Sequence, residues 1–171
     1  NLKTIEAEVP LWQEIKVVDD YMYLQQMRFG SRVQYEKDVA FETIDVPIPS
    51  FSLQPLVENA IIHGLSKKEQ GGKLMIRTEL KEDVLFISIM DSGIGMEQEA
   101  LLSLTEAMEK NRTSRIGIGL GNIHKRLHMM YIGAELQIRS KKDMGTKILM
   151  KIPLSRKSDI KETGGNDVSF I

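Results

Sequence analysis

The chain contains 171 residues, of which 42% are hydrophobic and 27% are charged, as expected for one soluble domain with a buried core. Its formal net charge of −1 gives no electrostatic reason to expect nucleic acid or an anionic membrane as a partner. It contains no cysteine, which excludes disulfides and thiolate metal sites and suits a reducing compartment. No apolar run approaches the roughly 20 residues that span a bilayer, and we expect no signal peptide. Because the chain begins at Asn1 rather than Met, we expect a fragment, with any membrane anchor upstream.

The first part of the chain predicts two helices followed by two short strands. Residues 2–8 are amphipathic, and Pro10 suits the first turn of a second helix that ends at Gly30. The apolar spacing of this second helix fits either a helix packed on its own domain or the tail of a dimerising helical bundle. Alternating apolar and polar residues predict strands at about 32–37 and 40–44.

The remainder predicts an alternation of helices and strands. Pro47 and Pro49 mark a loop, and a helix is predicted over 52–63, with Ser52 as its N-cap and Gly64 just past its end. Strands are predicted at 73–80, 84–90, 135–140 and 146–152, and helices at 97–109 and 120–131. A disordered tail is predicted from Ser155 onward. This order indicates an α/β sandwich, with one helical layer on a mixed sheet.

The segment from Gln54 to Gly64 reads Gln-Pro-Leu-Val-Glu-Asn-Ala-Ile-Ile-His-Gly. Its Asn59 lies in the middle of a predicted helix, where asparagine is a mediocre helix former. Read alone, it is most simply a surface residue. The alternative is a magnesium ligand, because Mg²⁺ takes oxygen donors such as an amide oxygen.

A second segment, Asp91-Ser92-Gly93-Ile94-Gly95-Met96, directly follows an apolar strand. Its residue types are those of an ordinary turn. The alternative is a nucleotide-base site: a carboxylate at a strand end accepts a hydrogen bond from an exocyclic amine such as adenine N6, and glycines let the backbone approach a flat ring.

Two further segments contain glycines. Gly117-Ile118-Gly119-Leu120-Gly121-Asn122 opens a helix, where free backbone N–H groups can bind phosphate. It fits neither the dinucleotide fingerprint nor the Walker pattern. Gly145-Thr146 begins the last strand and alone indicates only a hairpin turn. In this order, the four segments supply one group for each part of Mg-ATP: metal, adenine and phosphates.

These segments resemble the GHKL ATP-binding domain that histidine kinases share with type II topoisomerases, chaperone ATPases and mismatch-repair ATPases. The run from Gln54 to Gly64, together with Arg28-Phe29-Gly30 and the stretch from Asn122 to Leu127, is most similar to sensor kinases of the LytS/YesM-like subgroup. The resemblance covers roughly residues 5 to 154. It implies the Bergerat α/β sandwich: a mixed sheet covered by helices on one face and preceded by an N-terminal helix.

The resemblance implies ATP and Mg²⁺ as ligands. Asn59 would ligate the metal, with Glu58 as a weaker candidate, and Asp91 would bind the adenine amino group beside Thr146. His63, Gly93, Gly95 and Met96 would also contact the nucleotide, and the phosphate loop would comprise Gly117, Gly119, Leu120 and Gly121. The segment 96–116 would form a lid over the nucleotide.

Two departures from the family pattern affect the chemistry. Many histidine kinases have a phosphate-binding Lys where this chain has Ile62, so His63, Arg112 and Arg115 become candidates for that role. Hydrolysing relatives have a water-activating Glu where this chain has Pro55. The second departure favours phosphoryl transfer to a protein over efficient ATP hydrolysis.

The resemblance implies a two-component kinase in which the phosphorylated histidine precedes Asn1. Of the chain's own histidines, His124 and His128 are four apart on one helix face and fit a structural or exposed role better than a metal site. The implied partners are the upstream phosphoacceptor helix, a response-regulator receiver domain and a second copy of the full-length protein, with no nucleic acid. The implied location is the cytoplasmic side of a membrane-anchored bacterial sensor.

The predicted organisation is a helical segment over 1–29, an ATP-binding catalytic domain over 30–154 and a tail over 155–171. Two other classes of function remain open at this point. One is a GHKL-type ATPase that works as a nucleotide-gated conformational module, and the other is an interaction module that has lost nucleotide binding.

Overall fold

The computed structural model describes residues 7–110 and 118–155. Seven strands and four helices follow one another in these two ranges. They are β1 (Glu8–Pro10), α1 (Leu11–Phe29), β2 (Val33–Val39), β3 (Pro47–Pro49), α2 (Gln54–Asn59), β4 (Gly72–Lys81), β5 (Val84–Asp91), α3 (Gln98–Glu109), α4 (Ile118–Met130), β6 (Glu135–Lys141) and β7 (Gly145–Pro153). None of the described helices is both long enough and apolar enough to cross a bilayer.

Five strands form a mixed sheet in the order β2-β4-β5-β7-β6. β2 runs parallel to β4, and the other neighbours pair antiparallel. The turn between β4 and β5 places Glu82 and Asp83 at φ values of 48° and 61°, which is the left-handed pair that a two-residue hairpin requires. The mixed sheet of the predicted α/β sandwich is confirmed.

One face of this sheet forms the core with the helices. On β5 the buried residues are Leu85, Ile87 and Ile89, and they alternate with partly exposed neighbours such as Ser88. The period of two places every second side chain on the same face. The helices contribute fully buried residues to the same cluster: Leu11, Val18 and Met22 from α1, Leu56 and Val57 from α2, and Ile123 and Leu127 from α4. Each buried aliphatic side chain of this size contributes roughly 1.5–3 kcal/mol.

Helix α1 packs on its own domain, which was the first of the two interpretations of its apolar spacing. It contacts α2 and β2. Asp19 on α1 accepts a hydrogen bond of 2.9 Å from the hydroxyl of Tyr35 on β2 and forms a 2.6 Å ion pair with Lys37. The helix ends at Gly30, as predicted, where φ is 61°. The proposed boundaries at 29/30 and 154/155 stay predictions, and residues 156–171 lie outside the described part of the chain.

The structure differs from the prediction before α1. Glu8–Pro10 is a strand rather than the end of a helix, and residues 2–6 lie outside the described ranges. It pairs antiparallel with Pro47–Pro49, which was predicted to be a loop. Proline has no N–H to donate to a strand partner. In a two-stranded ribbon each strand has one edge without a partner, so prolines can be accommodated there. The ribbon is extended by Leu11 N–H, which donates to the carbonyl of Val46 at 2.9 Å.

The predicted strand at 40–44 is also wrong, because Phe41–Thr43 is a short 3₁₀ turn. The hydroxyl of Thr43 lies 2.6 Å from the carbonyl of Ala40 and 2.7 Å from the hydroxyl of Thr78 on β4. Phe41 is 83% exposed. The alternation of Phe41 with polar neighbours therefore does not correspond to a strand with one buried face.

The helix that begins at Gln54 does not end at Gly64. After Asn59 it continues as a π-helix over Ala60–Leu65, so Gly64 lies inside the helical segment. The predicted cap is also wrong: the hydroxyl of Ser52 donates to the carbonyl of Pro49 at 2.6 Å, and no side chain of the segment caps the helix. The backbone N–H groups at this end donate to the carboxylate of Glu14 on α1.

Candidate functional site

A cavity of about 420 Å³ lies between α2, the helix start of α4, α3 and the adjoining ends of β5 and β7. Seven residues predicted from the sequence to bind nucleotide line it: Asn59, His63, Asp91, Gly95, Met96, Leu120 and Thr146. They come from segments up to 87 positions apart in the chain (Asn59 to Thr146). The fold therefore gathers residues from all four predicted segments around one space.

Asp91 is the carboxylate of this cavity. It ends β5 opposite Thr146 on β7, and its Oδ1 accepts a 2.8 Å hydrogen bond from the N–H of Gly93. Burial raises the pKa of Asp91 to about 6, although the N–H groups of Gly93 and Thr146 and the charge of Lys68 act in the opposite direction. The carboxylate is thus held in a poorly solvated place where a further hydrogen-bond donor would stabilise its charged form.

The π-helical stretch brings backbone directly against this carboxylate. A Cβ on Gly64 would lie 2.8 Å from Asp91 Oδ1, and a Cβ on Gly93 would lie 2.4 Å from the carbonyl carbon of Gly64. Gly93 therefore packs behind the cavity wall. It was predicted to contact the nucleotide, but it does not line the cavity. π-helical turns are rare and occur mostly at functional sites.

Gly95 and Gly145 hold the loop after β5 in place. They adopt φ values of 63° and 104°, and a Cβ on either would lie 1.9 Å from a backbone oxygen, that of Lys141 or Asp91 respectively. The loop is also fixed by the N–H of Asp143, which donates to the carbonyl of Ile94 at 2.7 Å. The tip between β6 and β7 thus sets the position of the predicted base-binding loop.

Asn59 lines the cavity beside the start of α4. A Cβ on Gly119 would lie 3.5 Å from Pro55 Cβ and 3.8 Å from Asn59 Nδ2. The first described turn of α4 therefore adjoins the Asn59 amide. Gly121 has nothing within 4 Å of a potential Cβ. Gly117, Arg112 and Arg115 lie outside the described residues, as does the second part of the predicted lid.

Glu58, the weaker metal candidate, does not line the cavity. Its carboxylate accepts a 2.8 Å hydrogen bond from the amide of Gln54. Its charge also acts on Tyr21 of α1, whose pKa is raised first by burial and then by Glu58. These contacts orient Glu58 toward α1, away from the side of the helix that bears Asn59.

Sequence reasoning missed Lys67, which lines the same cavity. It lies in the turn that follows the π-helix, two residues after Leu65. Asn59, His63 and Lys67 are spaced four residues apart, but no single regular helix joins them, so the spacing alone did not predict that they line one cavity. Ile62, at the family's lysine position, is 52% exposed and is absent from the cavity lining.

The apolar walls of the cavity were also not predicted. Ile89, Ile138 and Ile148 from the sheet and Ala100 and Leu104 from α3 contribute to them. α3 belongs to the predicted lid, and it is connected to the tip of the last hairpin by a 2.6 Å ion pair between Glu97 and Lys142. An apolar slot ending in one carboxylate fits a flat heteroaromatic ring.

His124 and His128 do not form part of the cavity lining. Their Nε2 atoms lie 3.0 Å apart on α4. The pKa of His124 is lowered by burial and then by His128. Within the described ranges no group of three or more His, Cys, Asp or Glu side chains is arranged to hold a metal ion.

The chain is similar to several known proteins. The model of the family described as "Histidine kinase-, DNA gyrase B-, and HSP90-like ATPase" matches residues 51–156. The chain is 31% identical over 157 residues to the sensor protein kinase HptS of Staphylococcus aureus, which covers 91% of this chain and 30% of HptS. It is 35% identical over 144 residues to the uncharacterised protein YwpD of Bacillus subtilis, covering 83% of this chain and 49% of YwpD.

Solved structures show the same fold at low sequence identity. The catalytic domain of the histidine kinase ThkA superposes with a TM-score of 0.62 at 15% identity, covering 88% of this chain and 98% of that domain. The histidine kinase domain of a blue-light-activated kinase from Erythrobacter litoralis gives a TM-score of 0.60 at 16% identity, covering 85% of this chain and 61% of that domain. The chain spans 30% of the length of HptS and 49% of that of YwpD.

Proposed function

We propose a function from one premise: the chain belongs to the histidine kinase-, DNA gyrase B- and HSP90-like ATPase family. The cavity between α2, α4 and the ends of β5 and β7 binds Mg-ATP. The domain serves as the catalytic part of a sensor histidine kinase, and it presents the γ-phosphoryl group to a histidine outside the described residues. The resemblance of Gln54–Gly64 to the LytS/YesM-like subgroup supports the choice of kinase within the family.

The observation that carries this proposal is the shared cavity of Asp91 and Asn59. The Asp91 carboxylate lies at the end of an apolar slot, where the adenine amino group would donate to it. Asn59 and the first turn of α4 lie where the triphosphate would follow. Backbone N–H groups at a helix start bind phosphate oxygens, and the helix dipole favours their negative charge.

The Asn59 side chain fits a magnesium ion better than it fits a structural role. It lines the cavity, and its amide group, with Nδ2 3.8 Å from a potential Cβ of Gly119, lies beside the phosphate-binding turn. Mg²⁺ in nucleotide sites keeps several waters and takes few protein oxygens, with phosphate oxygens completing its shell. The ion would neutralise phosphate charge at this position.

Replacing Asn59 with Ala should remove the magnesium-dependent part of ATP affinity. We expect a non-hydrolysable ATP analogue to bind about tenfold more weakly with Mg²⁺, because one hydrogen-bonding or metal-binding group contributes about 1–1.5 kcal/mol. In excess chelator the variant and the wild type should bind alike. Calorimetric titration in both buffers measures this. The control is Glu58→Gln, which lies outside the cavity lining, and a Glu58→Gln variant that lost the magnesium effect while Asn59→Ala kept it would reverse the assignment.

Two further side chains of the cavity would meet the phosphate charge that Ile62 cannot meet. His63 and Lys67 line the cavity, and Lys67 is exposed. Lys67→Ala should weaken binding of the ATP analogue by several-fold at low salt and less at high salt, because added ions screen an exposed charge. Lys147→Ala, an exposed lysine on β7 outside the lining, is the matched control. Equal losses in both variants, or an effect of Lys67 that does not respond to salt, would exclude this role.

Phosphoryl transfer fits these residues better than hydrolysis. Such transfer depends mainly on positioning and charge neutralisation, which the helix start, Asn59 and the cations provide. The position of the water-activating Glu in hydrolysing relatives is Pro55, which has no basic group and lies beside Gly119. The proposed partners are therefore a phosphoacceptor histidine on a helix outside the described residues and a response-regulator aspartate. The proposed setting is a dimeric, membrane-anchored bacterial sensor, with this domain on the cytoplasmic side.

A further inference from the structure

Glu14 is a charged residue of the core that lies outside the nucleotide cavity. It belongs to α1 and is 6% exposed. Its carboxylate accepts hydrogen bonds from three consecutive backbone N–H groups at the start of α2: those of Phe51 at 2.8 Å, Ser52 at 2.9 Å and Leu53 at 3.0 Å. A buried carboxylate is costly unless it is fully hydrogen-bonded, and these bonds fix the start of α2 to α1.

Arg126 on α4 approaches the same short segment from the other side. Its guanidinium donates to the carbonyl of Phe51 at 3.2 Å and lies 3.4 Å from the hydroxyl of Ser52. Burial lowers the pKa of Arg126, and the charge of Glu14 acts in the opposite direction. Phe51 has a φ of 57°, a backbone conformation that persists only where its surroundings hold it. The segment 51–53 is therefore held between α1 and α4.

Arg126 and Gly119 lie seven residues apart, almost two full turns, and so share a face of α4. Gly119 adjoins Pro55 and Asn59, and Arg126 reaches Phe51 and Ser52. α4 thus touches α2 itself at Gly119 and the segment that leads into α2 at Arg126. At the Gly119 end there is no side chain to lock the contact. Apolar packing of Ile123 and Leu127 holds α4 in the core, but such packing tolerates small slides better than a directed hydrogen bond does.

We propose that Arg126 and Glu14 are positioning residues that fix α4 against α2 and so set the distance between the phosphate-binding turn and Asn59. The inference rests on the proposed function of the cavity. Asp91 and Thr146 belong to the sheet, and neither depends on this joint. Loss of the joint should therefore affect the triphosphate and its magnesium ion while leaving the adenine contacts unchanged.

The test compares two ligands on the same variants. The affinity for a non-hydrolysable ATP analogue with Mg²⁺ and the affinity for adenosine are both measured by competition against a fluorescent ATP analogue. In Arg126→Ala we expect the affinity for the ATP analogue to fall about tenfold and the affinity for adenosine to stay within about twofold of wild type. Arg126→Lys should bind the ATP analogue with an affinity between those of wild type and Arg126→Ala. Arg77→Ala, which removes an equally charged side chain from an exposed pair with Asp38 on the sheet, should change neither.

A second variant tests whether the two residues act through one joint. Glu14→Gln keeps the side-chain shape but replaces an acceptor with a donor facing backbone N–H groups, so it should show the same selective loss. The fold-loss of ATP-analogue affinity in the double variant should be smaller than the product of the fold-losses in the two single variants, because both residues act through segment 51–53. Loss of adenosine and ATP-analogue affinity in parallel, or an unchanged ratio in Arg126→Ala, overturns this inference alone. A wild type that binds neither ligand overturns the proposed function and this inference with it.

Discussion

Replacing Asp91 with Asn should make the nucleotide-free protein more stable at neutral pH while weakening its binding of ATP. The carboxylate is buried, with a pKa raised to about 6 from an ordinary value of 3.8. A raised pKa means that the native state binds the proton more tightly than the unfolded state does. Ionised Asp91 therefore opposes folding, by up to about 3 kcal/mol for a shift of two units.

The sign of this effect determines its pH dependence. Well below the ordinary value of 3.8, the carboxyl is protonated in both native and unfolded states, and the variant should gain nothing. Between the ordinary value of 3.8 and the folded value of about 6, the wild type progressively loses stability relative to Asp91→Asn. Above pH 6 the difference should be constant. Urea denaturation of both proteins from acid to neutral pH measures it, and a difference that is independent of pH, or largest in acid, would contradict the assigned cause.

Replacing Gly145 with Ala should destabilise the domain by about 3 kcal/mol or more. This is the largest loss of stability that we expect from a substitution that adds atoms without deleting any existing contact. Gly145 has a φ of 104°, and an added Cβ would lie 1.9 Å from the carbonyl oxygen of Asp91 and 2.9 Å from Ser92 Cα. These are backbone atoms on the paired strand end, so no flexible side chain can move aside. The strain would also displace Asp91, and we expect nucleotide affinity to fall together with stability.

Gly121→Ala is the matched control for this prediction. Gly121 lies inside α4, and no atom lies within 4 Å of a potential Cβ. Alanine restricts the unfolded chain and favours a helix, so this variant should gain about 0.5–1 kcal/mol. Thermal unfolding of the two variants beside the wild type measures both effects. A Gly145→Ala protein as stable as Gly121→Ala would show that the hairpin tip does not constrain the loop after β5.

The parts of the fold that sequence predicted well are those governed by local pattern. The strands over 73–80, 84–90 and 146–152 alternate with a period of two because one face of each is buried. The conformations of Glu82 and Asp83 suit a tight turn between two of them. The short β1–β3 ribbon could not be predicted in this way, because its residues include prolines and its partner lies about 40 positions along the chain.

The candidate site shows the same division. Asn59, Asp91 and Thr146 could be singled out because their residue types carry chemistry in recognisable segments. The π-helical turn after Asn59 could not, because it depends on Gly64 packing against Asp91 and Gly93, which only the folded chain brings together. The cap of α2 was misassigned to Ser52 for the same reason. The backbone N–H of Ser52 donates to the carboxylate of Glu14, which lies 38 positions earlier in the chain. Lys67 was missed because it lies in a turn after the helical segment, where no local pattern predicts that its side chain lines the cavity.

The most direct test of the central claim is a calorimetric titration of a non-hydrolysable ATP analogue with Mg²⁺ into the wild type and Asp91→Asn above pH 7. In the variant an amide N–H₂ would face the adenine amine, donor against donor, and the lost hydrogen bond and the unpaired groups should cost about 2–3 kcal/mol, or roughly 30- to 150-fold in affinity. We predict saturable one-to-one binding to the wild type and a loss of this size in a variant that is folded and more stable. Equal affinity of the two proteins would show that nucleotide, if bound, does not occupy the cavity that ends at Asp91.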